Sequence, residues 1–291
     1  MNKNKQILKG LDCSAYEHPF DKKALEALRA TKGFGMIGKF ITKHTIERIY
    51  TVQYTGSYLK IQKDNYPKIY DYLEYAAEIL DLKKVPDLYT QWSYNINAFT
   101  IGSDNPIIVL NTGLLDLCTE DEIMFIIGHE CGHIKSDHMV YHMMASIINT
   151  IIDVIPGGKF VAAPVQYALY YWNRMSEFTA DRAGLLCCQN KEAAITSFMK
   201  MAGLPKSEFK NMNIQTFLEQ ARNFQSLDEQ NVDKVIKMIS IASASHPWIV
   251  MRAHELLKFE EEGEYGKFIT EKTSKEQIDD VAKQISSNWR K

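Results

Sequence analysis

The chain has 291 residues, 45% of them hydrophobic, which is enough for a sizeable core in one large domain or two modest ones. Its 34 basic and 36 acidic residues leave a net charge of -2, with no basic excess to hold a nucleic-acid backbone or an anionic membrane surface. Five cysteines, an odd number with no Cys-x-x-Cys pair, read as reduced thiols and exclude a disulfide framework or a zinc knuckle.

Met1 to Gly10 is basic but leads into Leu11-Asp12-Cys13-Ser14 without the apolar stretch of a secretory signal, so a cytoplasmic location is expected. Across residues 1–85, stretches such as Lys22 to Leu28 and Tyr70 to Leu80 carry helical periodicity and form a helical layer, with Asp21 and Asp64 as start signals. Residues 86–260 are expected to carry the chemistry, and residues 261–291 to form a helical tail.

The pattern turns β-rich after Asp87. Leu88-Tyr89-Thr90, Ala98-Phe99-Thr100-Ile101-Gly102 and Ile107-Ile108-Val109-Leu110 are strand-like, broken by Ser103-Asp104-Asn105-Pro106, and two of them should pair as a hairpin. Thr119-Glu120-Asp121-Glu122 then has capping-box spacing and opens a helix. That helix runs through Ile123, Met124, Ile126 and Ile127 into His129-Glu130-Cys131-Gly132-His133.

Four residues apart on a helix, His129 and His133 share one face and can bind a single zinc, while Glu130 beside them can reach a water without binding the metal. This is the spacing of a zinc hydrolase, in which the metal makes a water acidic and the carboxylate takes its proton. Asp137, His138 and His142 follow closely, but they read as ordinary surface residues and not as a second metal site.

Met139 to Ile155 and Phe160 to Trp172 are largely apolar, with Pro156-Gly157-Gly158-Lys159 between them. The first contains His142, Asn149 and Asp153, and the second is short and holds Pro164, whereas a membrane span needs about 20 apolar residues. Both are expected to be buried helices, and a hairpin touching a membrane surface across 139–172 is the alternative.

A catalytic zinc needs a third protein ligand. Glu177, within Ser176-Glu177-Phe178-Thr179-Ala180-Asp181, is the best candidate, and Asp181 one turn on can accept the spare ring proton of a ligand histidine. From Lys191 the chain is mainly helical in pattern, with a break at Gly203-Leu204-Pro205. In Ser245-His246-Pro247-Trp248, the proline starts a helix that brings Arg252 back towards His246, which is a candidate for the oxyanion side of a reaction.

Asn97-Ala98-Phe99, Thr112-Gly113-Leu114-Leu115, His129-Glu130-x-x-His133, Glu177-x-x-x-Asp181 and Ser245-His246-Pro247-x-x-x-x-Arg252, taken together and in this order, resemble the zinc endopeptidase family that includes HtpX, BepA and the CAAX prenyl protease. The resemblance implies a mainly helical α+β, zincin-like fold with a small antiparallel β-hairpin or sheet beside the active-site helix. It implies one zinc per chain held by His129, His133 and Glu177, with Glu130 as general base, Asp181 and Arg252 as supporting partners and His246 at the transition state. Asn97, Ala98 and Phe99 would lie along a peptide or protein substrate as a strand edge.

The alternative is a zincin-fold scaffold in which the metal only staples the structure, and the intact Glu130 argues against it. A further expectation is self-restraint, in which Cys13 or His18 occupies the open metal position.

Overall fold

The computed structural model describes residues 5–34, 43–154, 158–226 and 248–269. Helices α1 (Pro19–Ala30), α2 (Lys43–Ser57) and α3 (Pro67–Ile79) precede or interleave with a small sheet of β1 (Leu59–Ile61), β2 (Asp87–Gln91), β3 (Ala98–Ile101) and β4 (Ile107–Asn111). A short α4 (Thr112–Leu117) leads into α5 (Glu120–Lys135), α6 (Met139–Val154), α7 (Gly158–Cys188), α8 (Lys191–Met201), α9 (Ile214–Ser226) and α10 (Ile249–Glu261).

The proposed start signals at Asp21 and Asp64 do not begin their helices. Proline sets both starts: Pro19 follows an N-cap at His18, and Pro67 follows Tyr66, because a fixed φ and a missing N–H suit the first helical position. Asp21 instead points inward from the first turn of α1 and is 1% exposed. The capping box of α5 forms as its spacing requires, with Thr119 and Glu122 exchanging side chain to backbone bonds. Glu122 also accepts from Lys200 Nζ at 2.6 Å and Thr196 Oγ1 at 2.7 Å, so α8 is tied to the first turn of α5 through a buried ion pair. Removing one partner of such a pair costs about 3 to 5 kcal/mol.

The expected hairpin is β3 with β4, antiparallel, turned at Gly102, whose φ of +80° suits glycine. It belongs to a mixed sheet of order β1-β2-β4-β3, in which β2 runs parallel to β4 and β1 antiparallel to β2. β3 is therefore an edge strand.

α5 is buried on every side from Glu122 to His133, as a central helix must be. The main core joins Ile123, Met124 and Ile127 of α5 to Leu185 and Leu186 of α7, Leu73 of α3 and Phe259 of α10. Both apolar runs after α5 are helical, the first as α6. The second is the first half of α7, which continues through Pro164 and on to Glu177 and Asp181. Among the described residues no helix is long and apolar enough to cross a membrane. Val165, Leu169 and Trp172 are fully buried in a second cluster with Leu28 of α1 and Ile148 of α6. At about 1.5 to 3 kcal/mol for each buried large side chain, this packing outweighs the roughly 3 kcal/mol that an internal proline costs a helix.

Candidate active site

Two glycines set the geometry of the site. Gly128 and Gly132 directly precede the two histidines, and a Cβ at either position would collide with α7, at Cys187 Cβ and Ala183 Cβ respectively. Their absence of side chain lets α5 and α7 approach closely enough for Glu177 to meet both imidazoles.

His129 Nε2 and His133 Nε2 lie 3.1 Å apart, and the Glu177 carboxylate reaches them at 3.6 Å and 3.4 Å. All three residues are buried, and their donor atoms fall within 4.8 Å of one another. Donors at about 2.0 to 2.1 Å from a tetrahedral zinc stand roughly 3.3 Å from each other. The two ring nitrogens at 3.1 Å, with Glu177 Oε1 3.4 Å from His133 and Glu177 Oε2 3.6 Å from His129, therefore have the spacing of donors about such a zinc, with two imidazoles and a carboxylate as the donor set.

The surrounding charges hold this arrangement. His129 Nδ1 bonds Asp181 Oδ1 at 2.9 Å, which turns Nε2 towards the triangle. Burial acts to lower the His129 pKa, but the hydrogen bond and charge of Asp181 outweigh it and the net shift is upward. Arg252 grips Asp181 with two donors, Nε to Oδ2 at 2.8 Å and Nη2 to Oδ1 at 2.6 Å. Its Nη1 also stands 3.4 Å from Glu177 Oε2. Burial pushes the Asp181 carboxyl up, and the Arg252 charge and hydrogen bonds more than reverse this, so it stays ionised. His133 is pushed down to about 4 by burial, with Glu177 opposing, which keeps the ring neutral as a metal ligand requires.

Glu130 faces the same cleft. Its Oε2 accepts from Thr100 Oγ1 of β3 at 2.6 Å, and burial raises its pKa above the usual glutamate range, offset only in part by the charge of His129 and the Thr100 hydroxyl. Asn97, Ala98 and Phe99 line the cleft beside His129, Glu130, His133, Glu177 and Arg252.

Residues 66–260 match Peptidase family M48. The chain belongs to that family. It is 32% identical over 278 residues to the plastoglobule-localized metallopeptidase 48 of Arabidopsis thaliana, covering 94% of this chain and 80% of the plant protein. A protease HtpX of Xylella fastidiosa is 29% identical over 127 residues, 42% of this chain and 43% of that protein. A protease HtpX homolog of Fusobacterium nucleatum is 23% identical over 256 residues, 78% of this chain and 80% of that protein. As an M48 member with an α+β fold, the chain is a metallopeptidase, and its family implies a peptide or protein substrate.

Of the residues singled out in the sequence, this M48 site brings together His129, Glu130, His133, Glu177, Asp181 and Arg252, with Asn97 to Phe99 along one wall. His246, with Ser245 and Pro247, lies outside the described residues. The self-restraint expectation does not hold for His18: its Nδ1 accepts from the Phe20 amide, its Nε2 pairs with Glu255 Oε2 at 3.2 Å, and neither it nor Cys13 lines the cleft. The expectation of surface histidines fails as well. His138 is 4% exposed and His142 half-buried, and both rings pack against His133.

Thr100 escaped sequence reasoning although its signal was present. It stands two residues after Ala98 in a strand, so both share the face turned to α5.

Proposed function

We propose that the chain is a zinc-dependent endopeptidase in which His129, His133 and Glu177 hold the metal and Glu130 is the general base. The observation that carries this reading is the buried triangle of His129, His133 and Glu177, whose ring nitrogens lie 3.1 Å apart with a carboxylate oxygen 3.4 to 3.6 Å from each, a spacing that suits a tetrahedral cation, while Glu130 stands beside it. Zinc bound there supplies a Lewis acid that polarises the scissile carbonyl and makes water nucleophilic near neutral pH.

The remaining work belongs to the side chains. The outer rim of β3 offers unpaired main-chain groups on which an extended peptide can add as a further strand, setting its scissile bond over the cleft. Glu130, kept out of bulk water and oriented by Thr100, takes a proton from the attacking water and returns it to the departing amine. Its raised pKa suits a group that must both accept and release a proton. Asp181 fixes the His129 ring, and Arg252 holds Asp181 and Glu177 in place. Strand addition reads the main chain more than side chains, so broad sequence tolerance is expected.

The test compares wild type with Glu130→Gln on a proteome-derived peptide digest, with zinc measured on both. The expected result is one zinc per chain in each and cleavage by wild type alone. Full cleavage by the variant, or a wild type without stoichiometric zinc, overturns the proposal; zinc in both with no peptide cleaved by either identifies a scaffold instead.

A further inference from the structure

The two ligand histidines are supported in different ways. His129 has a carboxylate directly on its Nδ1, from Asp181. His133 has another histidine there: its Nδ1 lies 3.0 Å from His138 Nδ1, and His138 Nε2 lies 3.1 Å from Asp21 Oδ2. His133 and His138 are each 4% exposed and Asp21 1%, so water does not complete these contacts.

With His138 neutral, proton counting along this line gives one consistent arrangement. Asp21 accepts from Trp172 Nε1 at its Oδ1, 2.8 Å away, and from Thr179 Oγ1 at its Oδ2, 2.6 Å away. Burial raises its pKa, but the His138 contact and these donors outweigh burial, so it is a carboxylate and can only accept. A neutral His138 must therefore carry its proton on Nε2, which leaves its Nδ1 bare. His133 must then donate from Nδ1, which leaves the lone pair of its Nε2 directed at the triangle with His129 and Glu177. Reversing any proton in this line closes that lone pair.

We propose that Asp21 and His138 are positioning residues that fix the tautomer and ring orientation of His133 for metal binding, so that helix α1 is a working part of the metal centre. The proposal rests on the zinc reading given above. Asp21 lies outside residues 66–260, the part of the chain matched to the family. The rival use of the same atoms is a second metal between His133, His138 and His142. The 3.0 Å bond between His133 Nδ1 and His138 Nδ1 occupies the nitrogens these two rings turn to each other, so the two uses exclude one another and the zinc count separates them.

The decisive variant is Asp21→Asn. Trp172 Nε1 can only donate, so it keeps the amide oxygen at the Oδ1 position and forces the amide nitrogen onto the Oδ2 position, facing Thr179 Oγ1 and His138 Nε2. His138 Nε2 then accepts, its Nδ1 donates, and His133 is driven to protonate Nε2. Zinc affinity, measured on the full chain by competition with a chromophoric chelator, should fall by about 10- to 100-fold, the usual loss for such a partner. Leu28→Ala, which removes packing from α1 in the same core but none of these hydrogen bonds, should lower thermal stability and leave zinc affinity at the wild-type level.

Equal zinc affinity in Asp21→Asn and wild type overturns the proposal, as does an equal loss in Leu28→Ala, which would make the role purely structural. Two zinc ions per wild-type chain would also overturn it. If Asp21→Asn does not fold, long-range proton–nitrogen NMR on the zinc-loaded wild type decides the matter: a proton on His138 Nε2 supports the proposal, and one on its Nδ1 refutes it. A wild type that binds no zinc fails the functional reading itself, whereas zinc-bound wild type with an indifferent Asp21→Asn fails only this inference.

Discussion

Gly132→Ala places one methyl group between the two helices that build the site. The new Cβ would stand 2.5 Å from Ala183 Cβ and 3.3 Å from Ala180 Cα. Carbon atoms in contact prefer about 3.5 to 4.0 Å, so α5 and α7 must part by roughly 1 Å at this point. Neither obstacle can rotate away, because one is a Cβ fixed to its backbone and the other is backbone. Glu177 and Asp181 flank Ala180 on α7, so the 3.4 Å and 2.9 Å contacts to His133 and His129 open with it. A binding constellation tolerates about 0.5 Å of displacement, and a loss of zinc affinity beyond about tenfold is expected. Overpacking costs about 2 kcal/mol and replacing a helical glycine returns about 1, so the melting temperature should fall by about 2 to 4 °C. Gly56 in α2 has nothing within 4 Å of its would-be Cβ, and Gly56→Ala should raise stability by about 0.5 to 1 kcal/mol without touching zinc. Chelator competition and calorimetry read both quantities. A Gly132→Ala protein with wild-type zinc affinity and a higher melting temperature would refute the close-approach argument.

Thr100→Val keeps shape but removes the hydroxyl that donates to Glu130, so kcat should drop about tenfold with KM and bound zinc little changed; unchanged kcat in steady-state assays would show that Glu130 needs no orientation. At Glu255, burial raises the pKa, but the His18 hydrogen bond together with the charges of Lys258 and the nearby histidines outweighs it, leaving the net value below the ordinary 4.5. A depressed carboxylate contributes stability that is fully present above the unfolded value and is lost as pH falls through the folded one. Urea midpoints from pH 7 down to below 4.5 should therefore decline less steeply in Glu255→Gln than in wild type, and parallel declines would remove this linkage.

The sequence disclosed the parts of the site that repeat with helical spacing. His129 with His133 and Glu177 with Asp181 are each four residues apart, and Thr119 with Glu122 marked where their helix begins. Contacts across the fold left less trace: nothing in local spacing links Asp21 to His138, and although Thr100 shares a strand face with Ala98, its bond to Glu130 exists only once β3 packs on α5. The full length of α7 was hidden for a related reason: the burial of Trp172 and Leu169 that carries the helix through Pro164 is a property of the folded molecule. β1 is three residues long and exists by pairing with β2, so it too was invisible before the sheet formed.

α7 supplies Glu177 and Asp181 from the same stretch whose Phe178 and Leu185 sit in the two main cores. The wall of the cleft that carries Glu177 thus cannot open unless the core opens, and its amides from Ser176 to Leu186 should exchange with deuterium only by global unfolding. β3, on the opposite wall, is bonded along one side and belongs to the class that exchanges by local fraying. The cleft should therefore pair a slowly exchanging wall with a faster one, and on the proposed reading the rim offered to a peptide can adjust without loosening the residues that would hold the metal.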